Sequence, residues 1–143
     1  MSIPWSGFRV RFQKTEYKYI TGVGKVNKRK VGAEYEQLAS DYLVDHEYTV
    51  VERNLTTPYG EIDIIAKKGG TWIFCEVKYR SSECFGSPLN AVDIRKQKKI
   101  SRAALYYYSR HGFVEETPCR FDVIAVYGDG KIEHVENAFL FQA

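Results

Sequence analysis

The sequence predicts an α/β domain with a central mixed β-sheet flanked by α-helices. Three observations carry this expectation. Apolar residues recur at helical spacing in two separate stretches, near 31–45 and 93–110. Short runs of strand character lie between and after them, bounded by glycine and proline. The resulting order is helix, three strands, helix, two strands, and helices laid on a mixed sheet are its natural packing. A length of 143 residues suits one domain with one hydrophobic core.

Residues 1–30 resist a helical reading and form a basic, flexible N-terminal arm, with residues 31–143 as the folded domain. Within the arm, Phe8-Arg9-Val10-Arg11-Phe12 alternates like a strand. From Val31 to Asp45, Tyr35, Leu38, Ala39, Tyr42 and Leu43 make one apolar stripe on a helix. Thr49 to Arg53 is the first strand, and Pro58-Tyr59-Gly60 turns into a hairpin. Its strands are Glu61–Lys67 and Trp72–Lys78, joined at Gly69-Gly70. Ser81 to Pro88 is a loop. Asp93 is a good N-cap for a second helix running to about Arg110, stopped by Gly112. The stripe of that helix is Ile100, Ala103, Ala104 and Tyr107. Cys119–Tyr127 and Lys131–Val135 are the last strands, joined at Gly128-Asp129-Gly130.

Composition excludes several classes. Hydrophobic content of 44% and charged content of 27% are ordinary for a globular protein. No run approaches a membrane span, and no apolar h-region opens the chain, so neither a membrane nor a secretory signal is expected. Cys75, Cys84 and Cys119 are an odd count without paired spacing, which fits a reducing cytoplasm. His46, His111 and His134 are too scattered for a histidine metal motif. The net charge is +3, but residues 1–31 hold eight basic groups against Glu16 alone. A basic arm on a mildly acidic body suits a polyanion partner; the alternative is a solvated tail.

The hairpin carries the chemistry. Closure at Gly69-Gly70 pairs residues symmetrically, setting Asp63 opposite Glu76 and Glu61 opposite Lys78. Side chains alternate along a strand, so Glu76 and Lys78 share a face. Facing carboxylates repel, and such a pair calls for a proton, a nearby cation or a bound metal. Hard oxygen donors suit Mg²⁺ or Mn²⁺. Lys78 can orient or deprotonate a water, or neutralise a phosphate. The first helix offers a further acid, Glu36 or Glu34, at opposite edges of its stripe. An ordinary cross-strand ion pair between Glu61 and Lys78 is the competing reading. The basic cluster Arg95–Arg102 can contact phosphates or simply be a solvated helix face.

These residues also form a recognisable set. Gly60-Glu-Ile-Asp63, then Glu76-Val-Lys78-Tyr-Arg80-Ser-Ser and Phe85-Gly86-x-Pro88, resemble the bacterial YraN-like family (UPF0102). Gly32-x-x-x-Glu36-x-x-Ala39, Arg53-Asn54, Lys96-Gln97 and Arg120-Phe-Asp122-Val extend the likeness over about 31–139. That family is usually placed in the PD-(D/E)XK nuclease superfamily, related in fold to restriction endonucleases and archaeal Holliday-junction resolvases. The resemblance implies a restriction-endonuclease-like sheet, with metal ligation by Asp63, Glu76 and the Val77 carbonyl. It further implies Glu36 as the helix-borne acid, Lys78 as the catalytic lysine, and assistance from Gln97. Residues 1–30 have no counterpart in it.

The function expected is therefore a Mg²⁺- or Mn²⁺-dependent nuclease hydrolysing phosphodiesters in DNA, with structured or branched forms among the candidate substrates. The catalytic set is Glu36, Asp63, Glu76 and Lys78. Arg80, Lys96, Gln97 and Lys99 are candidates for nucleic-acid contacts, and a homodimer is compatible with the chain. The runner-up is a nucleic-acid-binding module that keeps the fold with little or no cleavage.

Overall fold

The computed structural model describes residues 28–81, 86–113 and 116–143, the first three by backbone alone. The strand expected at Phe8–Phe12 and the loop residues 82–85 lie outside this set. In chain order the elements are α1 (Lys28–Asp45), β1 (Thr49–Thr57), β2 (Gly60–Lys68) and β3 (Thr71–Arg80). A 3-10 turn (Pro88–Ala91), α2 (Ile94–His111), β4 (Cys119–Tyr127) and β5 (Ile132–Phe139) follow.

The strands form one five-stranded sheet in the order β1-β2-β3-β4-β5. β3 and β4 are parallel, and every other neighbouring pair is antiparallel. Parallel neighbours need a crossover, and α2 supplies it. This is the mixed α/β architecture expected, consistent with a restriction-endonuclease-like fold.

Each helix covers one face. Tyr35, Leu38, Ala39 and Leu43 of α1 pack on Ile64, Ala66, Ile73, Cys75, Ile124 and Val126. Ile100, Ala103, Ala104 and Tyr107 of α2 pack on Ile65, Phe74, Phe121 and Val123. The two stripes read from helical spacing are thus the two core faces. Burying each large aliphatic side chain contributes about 1.5–3 kcal/mol. Asp93 caps α2 by accepting the Lys96 N–H at 2.8 Å. Gly112 ends it in the left-handed region at φ 65°, where a side chain would be strained.

Boundaries differ from expectation where the side chains alter the backbone. α1 begins at Lys28, so the last three residues of the arm are helical. β1 continues past Arg53 to Thr57, with Asn54 at φ 53° inside it. β5 starts at Ile132 and continues past Val135 to Phe139. There the buried Asp122 carboxylate accepts the Asn137 N–H at 2.9 Å, while Asn137 takes φ 48° across a register shift in β4–β5. β4 does not present one dry face: Phe121 to Tyr127 are buried throughout, because helices or loops cover both sides of an inner strand.

Candidate active site

The Gly69-Gly70 turn sets the register as its symmetry requires. Lys68↔Thr71, Lys67↔Trp72, Ala66↔Ile73, Ile65↔Phe74 and Ile64↔Cys75 are successive partners. The ladder then stops. Asp63 and Glu76 are not ladder partners, nor are Glu61 and Lys78, which corrects the simple continuation of the hairpin. In an unbroken ladder the Val77 N–H would donate to the Ile62 carbonyl. Instead it donates to Asp63 Oδ2 at 2.8 Å. A side chain has replaced a backbone acceptor, and the strands part at that point.

The neighbouring residues record the distortion. Ile62 and Ile65 both belong to the α2-side core, whereas Ile64 belongs to the α1 side. Regular alternation would group Ile62 with Ile64. Across β1, the pairs Arg53↔Ile64 and Leu55↔Ile62 leave Asn54 facing Asp63. Asn54 has a positive φ, a conformation asparagine adopts more readily than most residues with a side chain.

Glu76 extends from the splay towards α2 and is 3% exposed. Its Oε1 lies 3.1 Å from Lys78 Nζ and 3.5 Å from Lys96 Nζ. Its Oε2 is buried with no hydrogen-bond partner. Burial, then the charge of Glu76, pushes the Asp63 carboxyl up to about 7, against the Val77 N–H and the charge of Lys96, and a hydrogen bond between the two carboxyls adds to the rise. Glu36 reaches the same place from α1. Burial and then the charge of Asp63 raise its carboxyl, opposed by a hydrogen bond with the Asn54 side chain and by the charge of Arg53. Glu36, one of the two α1 acids that helical spacing left open, is thus in the field of Asp63.

The other candidates separate. Lys96 joins the site. Gln97 turns away, donating from Nε2 to the Val92 carbonyl at 3.0 Å, and so secures the entry to α2. Arg80 is 8% exposed and donates to the Gly86 carbonyl at 3.0 Å, tying down the loop after β3. Lys99 is exposed, with its backbone close to the start of β2: a Cβ on Gly60 would lie 3.2 Å from Lys99 Cβ. Asp122 belongs to a separate buried knot, holding Arg120 Nε at 3.0 Å and His134 Nε2 at 2.6 Å. Tyr107 is core, and the Tyr108 hydroxyl donates to the Thr117 carbonyl at 3.0 Å. Reading the sequence missed the role of Asn54 and the inward position of Lys96. An asparagine in mid-strand, where its type is disfavoured, was the available signal for the first.

The donor set fits a hard divalent cation. Two carboxylates are held together at a cost: protonated Asp63 hydrogen-bonds Glu76, and no other residue donates to Glu76 Oε2. Among the described residues, no group of three or more His, Cys, Asp or Glu side chains is arranged to hold a metal ion. Asp63, Glu76 and a main-chain carbonyl would leave coordination positions for water and phosphate, as Mg²⁺ and Mn²⁺ favour. Among the described residues, no helix is long and apolar enough to cross a membrane.

Comparison with known proteins places the chain among its relatives. A UPF0102 protein of Thermodesulfovibrio yellowstonii is 51% identical over 110 residues, covering 77% of this chain and 96% of that protein. One from Aliivibrio salmonicida is 41% identical over 118 residues, covering 81% and 96%. One from Lachnoclostridium phytofermentans is 40% identical over 114 residues, covering 80% and 96%. The family model matches residues 35–126, a stretch that contains Glu36, Asp63, Glu76, Lys78 and Lys96. The chain belongs to the uncharacterised protein family UPF0102.

Proposed function

We propose that this protein is a divalent-metal-dependent nuclease that hydrolyses phosphodiester bonds, with DNA as its substrate and the cytoplasm as its compartment. One observation supports the reading: a carboxylate pair at a break in the sheet, Glu76 buried and Asp63 half-buried, with lysines around it and no donor from any other residue on Glu76 Oε2. Mg²⁺ or Mn²⁺, held by Asp63, Glu76 and the Val77 carbonyl, with Glu36 beside them, would make a water more acidic and offset charge on the phosphate.

The chain's own groups then have distinct tasks. Lys78, on the face of Glu76, donates hydrogen bonds that orient the attacking water or hold a non-bridging phosphate oxygen. Glu36, whose carboxyl is raised first by burial and then by the charge of Asp63, would take the proton of that water. Asn54 positions Glu36 from β1. Asp63 keeps β2 and β3 apart by holding the Val77 N–H, so the site stays open between the helices.

The test uses single-stranded, flapped and four-way-junction DNA with Mg²⁺ or Mn²⁺, beside Asp63→Ala and Lys78→Ala. Cleavage by the natural protein is expected, falling by roughly a hundredfold or more in each variant. Cleavage unchanged in both would overturn the site. Binding of every substrate without cleavage would support a binding module instead.

A further inference from the structure

Two ammonium groups share one carboxylate oxygen in this site. Lys78 Nζ is 3.1 Å and Lys96 Nζ 3.5 Å from Glu76 Oε1, while Glu76 Oε2 has no partner. The second lysine occupies an electrostatically poor place. It lies in the first turn of α2, where the exposed N–H groups already present positive charge. That turn contains no acidic residue, and Asp93 is committed to capping. Lys96 gains there chiefly by facing the carboxylates. Its side chain is 35% exposed, so the ammonium has a path away from Glu76. Arg95, Lys98 and Lys99 surround it on the same half of the helix, and all three are exposed.

We propose that Lys96 is an exchangeable cation: it balances Glu76 until a divalent ion arrives, then leaves to hold a phosphate of the nucleic acid. The inference rests on the metal reading above and adds a link between the two binding events. A metal at Glu76 repels Lys96, and a phosphate anion offers it the nearest new partner. Metal binding thereby raises affinity for nucleic acid, and nucleic acid raises affinity for metal by the same factor. Lys96 is a positioning and phosphate-binding residue in this scheme, and Lys78 remains at the site throughout.

The experiment measures Mn²⁺ binding to the full chain by calorimetry, without nucleic acid, for the natural protein, Lys96→Ala and Lys96→Arg. Removing a competing cation should tighten Mn²⁺ binding in Lys96→Ala by roughly tenfold, while Lys96→Arg stays close to the natural protein. A second measurement follows single-stranded DNA affinity with and without Ca²⁺. The gain in DNA affinity on adding Ca²⁺ should be present in the natural protein and lost in Lys96→Ala. Equal Mn²⁺ constants in the natural protein and Lys96→Ala would overturn the exchange and leave the metal site standing. No Mn²⁺ binding by any of the three would overturn the metal reading, and this inference with it. Melting curves for all three check that the variants are folded.

Discussion

Asp63→Asn isolates the electrostatic cost of the site from its packing. The native carboxyl is pushed up to about 7 from an ordinary 3.8, by burial first and by Glu76 second. The folded protein therefore keeps this proton to higher pH than the unfolded chain does. The contribution of this one group is most favourable at acid pH, declines as pH rises from about 4 to about 7, and stays reduced above that range. At 1.36 kcal/mol per pH unit, the loss comes to about 4 kcal/mol. Asparagine has no charge to desolvate, and its amide oxygen can still accept the Val77 N–H. Asp63→Asn should thus be more stable at pH 8 by about 3–4 kcal/mol, roughly 10 °C in Tm, with the difference closing near pH 4. Thermal melts from pH 4 to 8 in EDTA provide the assay. Added Mn²⁺ at pH 8 should then raise the Tm of the natural protein and leave the variant unmoved. Parallel pH curves, or a variant less stable at pH 8, would refute the account of a strained carboxylate pair.

Two further substitutions probe the surrounding frame. Asn54→Gly should be more stable than Asn54→Ala by about 1 kcal/mol, because alanine keeps a Cβ in the left-handed region; denaturant unfolding measures this. Both should raise the Glu36 carboxyl further by removing its hydrogen bond with Asn54, seen by NMR titration, and an unmoved titration would deny Asn54 that role. Asp122→Ala should destabilise by about 3–5 kcal/mol, since Arg120 and His134 are left facing an empty buried position. Burial alone would raise Asp122, but His134, Arg120 and the Asn137 N–H together hold it below the ordinary value. That stabilisation is present above the unfolded carboxyl pKa and is lost as pH falls through the folded one. Acid unfolding of the natural protein should therefore be steeper than that of Asp122→Ala.

Much of this frame was legible because it depends on local rules. Two glycines between apolar runs define a two-residue turn, and the turn alone determines five ladder pairs. The helix stripes follow from spacing, and the ends of α2 from Asp93 and Gly112. The splay was not legible, because it arises when one side chain outcompetes a backbone carbonyl for the Val77 N–H. The choice between Glu36 and Glu34, and the separation of Lys96 from Gln97, depend on how each helix is rotated against the sheet. Periodicity gives the buried stripe but not which flanking residue meets the site. The longer β5 likewise depends on Asp122, a buried charge that no local pattern announces.

The hairpin also orders events in time. Asp63 and Glu76 are brought together by a local turn, and such hairpins close in about 1–10 μs. Lys96 and Glu36 belong to helices, so their side chains reach the pair only when α2 and α1 dock on the sheet. The repelling carboxylates therefore meet before Lys96, which balances their charge, is in place. Burial is the first cause of the raised Asp63 carboxyl, so water screens the pair while the hairpin stands alone, and the cost of the shared charge falls on the docking step that seals the sheet.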